Sequence, residues 1–153
     1  MADARFEDGQ ERPLRLRALD VEDLTVISSL VQDAVLDSGD ISWMPRRRRF
    51  LILLNRFRWE RQGAGPERAR ALLTVDDVLA VHASGIDPAA KDLVLSLLSL
   101  SFQPGTDGAG DLHLILAGDG AFRLRVECVS VALTDVTRPY AAPSGKTPRH
   151  DLD

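Results

Sequence analysis

Four consecutive arginines, Arg46 to Arg49, follow Pro45 and lead directly into an apolar run. Guanidinium groups held this close repel one another unless an anion or a carboxylate lies among them. The quartet is therefore a candidate site for a phosphate or an acidic partner. Arg56, Arg58 and Arg61 extend it, and Trp43 or Trp59 would offer a stacking surface for a base. Between Pro45 and Arg70 nine arginines stand against Glu60 and Glu67, a local net of +7; because the whole chain of 153 residues carries −4, the remainder holds −11. That acidic excess offers the arginines partners of their own, such as Asp37, Asp40 or Glu60. Nucleic-acid domains are usually basic overall. Pairing within the chain is the preferred reading, and binding of a polyanion is the alternative.

Other residue types that carry chemistry form no constellation. His82, His113, His150 and the single Cys128 lack the spacing of a zinc site, and one cysteine cannot close an intramolecular disulfide. Cys128 follows Phe122, Leu124 and Val126 at period two, which predicts a buried, inert thiol. No Gly-x-Ser-x-Gly elbow is present, and Gly105, Gly108, Gly110, Gly118 and Gly120 fit neither a dinucleotide fingerprint nor a P-loop. Asp20, Glu22 and Asp23, with Asp76 and Asp77, could supply paired carboxylates, but at a helix start and a turn they serve as caps and turn formers. Catalytic, cofactor and metal residues are accordingly assigned to none, and no cofactor is expected.

The elements that must position these residues follow from periodicity. With 44% hydrophobic and 27% charged residues the chain reads as one ordinary globule, neither disordered nor membrane-spanning. Residues 1–12 and 138–153 lack apolar runs and are expected to be loose tails around a domain of residues 13–137. Leu14 and Leu16 alternate with arginines as a short strand. Asp20 then caps a helix whose apolar residues are Leu24, Ile27, Leu30, Val31 and Ala34, with Val35 and Leu36 assignable to that helix or to a following strand. From Phe50 onward the period is two. The 50–59 run places Leu51, Leu53, Asn55, Phe57 and Trp59 on one face. On the other face Phe50, Ile52 and Leu54 give way to Arg56 and Arg58, so the strand is expected to leave the core as it runs. Trp59 is expected in the core, and Asn55 in a satisfied structural contact. Residues 68–75 and 78–83 read as a hairpin around Asp76-Asp77 or as one bulged strand. Residues 93–102 read as a strand with one phase slip. Residues 112–116 and 122–128 form a hairpin across Gly118-Asp119-Gly120, after which the apolar phase flips at Val129.

The block Arg49-Phe50-Leu51-Ile52-Leu53-Leu54-Asn55-Arg56-Phe57-Arg58-Trp59-Glu60, preceded by Ala18 to Leu24 and Gln32 to Val35, resembles an uncharacterised bacterial family catalogued as domain of unknown function number 2948. The resemblance runs from about Arg15 to Asp135. It implies a small cytoplasmic bacterial protein and supplies no catalytic residues to carry over.

The expected fold is α+β, mainly β: a largely antiparallel sheet, curled or sandwich-like, with one N-terminal helix and room for a short C-terminal helix. The expected function is a non-enzymatic cytoplasmic module acting through protein–protein interaction or self-association. Apolar residues on both faces of the 50–54 and 93–102 strands favour a homodimer. An Arg-rich binder of nucleic acid or a phosphorylated ligand is the alternative, and no membrane partner is expected: the N-terminus lacks the basic start and apolar core of a signal peptide, and no apolar run could span a bilayer.

Overall fold

Asp20 begins helix α1 (Val21–Leu30) by accepting the Asp23 N–H at its Oδ1, 2.8 Å away, while Glu22 and Asp23 lie at the positive end of the helix dipole. Leu24 and Ile27, one turn apart, are buried, as is Val31 at the C-cap. The helix lies against the strand Val94–Pro104, where the Ser28 hydroxyl accepts the Leu100 N–H at 2.9 Å. Asp33, with φ 63°, turns the chain out of the helix, so Val35 and Leu36 belong to a strand.

The computed structural model describes residues 13–59, 67–87, 92–137 and 140–141. Its strands are β1 (Arg15–Ala18), β2 (Ala34–Asp37), β3 (Ile41–Met44), β4 (Arg49–Phe57), β5 (Glu67–Val75), β6 (Val78–Ser84), β7 (Val94–Pro104), β8 (Gly110–Leu116), β9 (Ala121–Val126), β10 (Val131–Asp135) and β11 (Tyr140–Ala141). All pairings are antiparallel, in the order β1-β10-β5-β4-β2-β7-β8-β9-β6, with β3 beside β4 and β11 beside β5. The protein is mainly β with one described helix, and the sheet curls over its core without closing. Phe50 of β4 and Phe122 of β9, far apart in the strand order, meet with ring centroids 5.5 Å apart. The expected slip in the 93–102 run is a bulge between Leu97 and Ser99, and β8 and β9 form the expected hairpin. Most of residues 1–12 and 138–153, the expected tails, lie outside the described residues; Tyr140 and Ala141 pair with Arg68 and Glu67.

Three expectations are corrected. Residues 68–75 and 78–83 are not a hairpin: β5 has β4 on one edge and β10 on the other, whereas β6 pairs with β9. With both edges of β5 taken, the chain passes through Asp77 at φ 59° into the far side of the sheet. There the Val78 N–H reaches the Arg48 carbonyl and the Glu127 N–H reaches the Asp77 carbonyl. The second correction concerns β4, which does not leave the core. Its inward row Phe50, Ile52 and Leu54 continues into Arg56, fully buried, and Arg58 beyond the strand is buried as well. The third is Cys128, which is exposed because β9 ends at Val126; residues 127–130 turn, and the phase changes there, so that Val129 and Ser130 are buried instead.

Candidate functional site

The arginine band divides by what each side chain meets. Met44 ends β3, and Pro45–Arg47 makes a single 3-10 turn closed by Arg48 at φ 52°. Arg48 pairs with Glu127 at 2.7 Å and Arg49 with Asp76 at 2.7 Å, both partly exposed. Arg58 reaches Glu67 Oε2 at 2.7 Å. Arg46 and Arg47 are exposed and make no ion pair with any described residue. Arg61, like Glu60, lies outside the described residues. Trp43 is half-buried and packs on the core opposite Phe50. Among the described residues the acids that meet the quartet are Glu127 and Asp76, not Asp37 or Asp40.

Arg56 is the most buried of the band. Its Nε donates to Asp135 Oδ1 and its Nη2 to Asp135 Oδ2, both at 2.8 Å, with side-chain exposures of 0% and 1% for the pair. Asp135 Oδ2 also accepts the Leu14 N–H at 2.9 Å. One carboxylate therefore ties the end of β10 to β4 and to the chain entering β1. The parallel two-bond geometry is what makes burying these charges tolerable. Alongside it, Phe57 and Trp59 meet edge-on at 4.6 Å, and the Trp59 indole N–H donates to the Gln32 carbonyl at 2.9 Å, so Trp59 is anchored and half-buried. Sequence reasoning gave Asp135 no role. The signal was present in Arg56: a charge in the phase of Phe50, Ile52 and Leu54 demands a buried partner.

The strand order leaves a polar opening between β2 and β4. Val35 of β2 pairs with Asn55 of β4, and Ile41 of β3 pairs with Ile52. Between these bridges β4 advances three residues and the opposing chain six, so Ser38, Gly39 and Asp40 loop out as a second 3-10 turn. A cleft of about 350 Å³ opens there, with Asp37 and Asp40 on one side, Arg70 on the other, and Val35, Leu53 and Asn55 among its lining.

A model of a family described as protein of unknown function, DUF2948, matches residues 14–150. The chain belongs to the DUF2948 family. No curated protein and no solved structure matches it significantly. The match agrees with the resemblance read in the 49–60 block, and it places both the Arg56–Asp135 pair and the cleft inside the DUF2948 domain.

Cys128 lies beside the arginine turn's partner Glu127, with its Sγ 3.4 Å from Asp77 Oδ2. Its thiol is pushed above the ordinary cysteine value, first by desolvation, then by the Asp77 hydrogen bond and the negative charges of Asp77 and Glu127. That is the opposite of an activated nucleophile. Among the described residues no group of histidine, cysteine and carboxylate side chains could hold a metal ion, and no helix is long and apolar enough to cross a membrane.

Proposed function

We propose that this DUF2948 protein is a non-enzymatic interaction module of the bacterial cytoplasm, and that it associates with a second copy of itself by strand addition along β6. The observation that carries this reading is the composition of the two sheet edges. Natural edge strands are kept short, charged or proline-blocked so that they do not pair with other chains. β1 obeys the rule, with four residues, Arg15 and Arg17 among them, after Pro13. β6 does not: Val-Leu-Ala-Val-His-Ala-Ser has neither an Asp, Glu, Lys or Arg nor a proline, and Leu79 is 45% exposed. The Val78 N–H bonds the Arg48 carbonyl, and beyond it no described residue pairs with the outer edge from Leu79 to Ser84.

A two-fold axis would set residues 79–84 of the two copies antiparallel, Leu79 against Ser84 and Val81 against His82, with no like charges opposed. Charge complementarity favours the same arrangement. The start of the open edge is flanked by Arg46 and Arg47, and its far end by the Asp119 turn, whose carbonyl approaches Gly85 so closely that a Cβ there would collide. Antiparallel pairing sets the cationic end of each copy toward the acidic end of the other. The test is amide hydrogen exchange at rising protein concentration. Amides of residues 79–84 are expected to become protected in step with dimerisation; exchange independent of concentration contradicts the reading.

The second reading, an anion binder, is favoured by one observation, the two exposed arginines without an acidic partner among the described residues. It predicts steep salt dependence of heparin binding, lost in the Arg46→Ala/Arg47→Ala variant.

A further inference from the structure

We propose that the cleft between β2 and β4 binds a small zwitterion of the amino-acid class, its ammonium held by Asp37 and Asp40 and its carboxylate by Arg70. The backbone builds the opening. Because three extra residues loop out at 38–40, Leu53 and Leu54 of β4 have no strand partner on that side among the described residues, whereas their other edge is paired to Leu72 and Ala71 of β5. Insertions of this kind interrupt a ladder and re-aim side chains, and they recur beside binding sites. Here the insertion carries Asp40 to the rim next to Asp37.

The opposite wall is fixed by register. Val35, Asn55 and Arg70 are consecutive partners across β2, β4 and β5. Arg70 therefore starts two strand spacings from β2, roughly 10 Å, and its long side chain spans part of that distance. Arg70 makes no ion pair with Asp37, Asp40 or any other described residue. Opposite charges thus line one opening without neutralising each other, which a ligand carrying both charges would do. Asn55 lies in the row between them, while Val35 and Leu53 supply an apolar floor for the ligand's carbon skeleton. A simple anion would meet two carboxylates, and a simple amine would meet the guanidinium, so each alone is disfavoured. This inference is independent of the β6 edge, which lies at the far end of the sheet.

The experiment is titration of the full chain, labelled with nitrogen-15, with each of the twenty free L-amino acids, and with butylamine and butyrate as single-charge controls. At least one amino acid is expected to shift the amides of Val35, Leu53, Asn55 and Arg70, with both controls about tenfold weaker or worse. Asp37→Asn/Asp40→Asn and Arg70→Gln are each expected to weaken binding about tenfold while leaving the rest of the spectrum in place. These groups are exposed or half-exposed, so folding does not depend on them. The proposal is overturned if no amino acid shifts these amides, if butyrate or butylamine binds as well as the amino acid, or if Arg70→Gln binds undiminished.

Discussion

At the scale of single residues, Arg56 and Asp135 hold two charges in the core, and the consequence is asymmetric. Removing one partner leaves the other charged and buried, so Asp135→Ala is expected to cost about 3–5 kcal/mol in urea unfolding. Arg56→Met combined with Asp135→Leu removes both charges and is expected to recover most of that loss, leaving a stability within reach of the parent. An equal loss in single and double variants would show that the pair's hydrogen bonds, not its stranded charge, matter. The exposed arginines behave differently. Arg48→Ala breaks a half-exposed pair with Glu127 and is expected to cost no more than about 1 kcal/mol, and Arg47→Ala nothing measurable. Cys128 gives a chemical readout of its surroundings: its raised pKa means less thiolate at a given pH, hence slow reaction with a disulfide reagent near pH 8 despite exposure. Asp77→Asn removes a charge and weakens the acceptor, so the thiolate fraction and the rate should both rise. An unchanged rate would assign the shift to desolvation and the Glu127 charge.

At the scale of elements, the cap of α1 and the edge of β6 are the places where a single change is decisive. Asp20→Ala removes the acceptor for the Asp23 N–H and is expected to lower stability by about 1 kcal/mol, with helix loss confined to the first turn by circular dichroism. Elements of this kind were legible because their signals are local. Asp20 with Leu24 and Ile27 marked the helix, and the Gly118-Asp119-Gly120 turn marked the β8–β9 hairpin. The phase slip after Leu97 was visible in the spacing of the leucines. What stayed illegible is long-range. Period two at 68–75 and 78–84 identified two strands, yet nothing in that pattern says that β10 and β4 occupy both edges of β5 and force β6 onto β9. The same limit explains the misread face of β4. Arg56 looks like an exit from the core until Asp135, 79 residues later, is placed against it. The cleft was hidden for the same reason, since Asp37, Asp40 and Arg70 meet only through the β2-β4-β5 register and the loop at 38–40.

At the scale of the whole molecule, the protein is acidic overall with one cationic turn, and the open edge of β6 lies between that turn and the acidic Asp119 turn. The proposed self-association through this edge would join opposite charges at the rim, and raised salt would weaken it only modestly, whereas polyanion binding would fall steeply. Replacing Arg46 and Arg47 by Ala should therefore weaken the proposed dimer slightly without abolishing it, because backbone pairing would supply its centre. Sedimentation velocity reads pairing at the open β6 edge. The parent chain, run from about 1 to 100 µM, is expected to pass from monomer to dimer. The Leu79→Lys/Ala83→Lys variant, which sets lysines along both copies of the edge, is expected to remain monomeric with an unchanged circular dichroism spectrum. A parent that stays monomeric throughout that range, or a lysine variant that dimerises like the parent, would contradict the account.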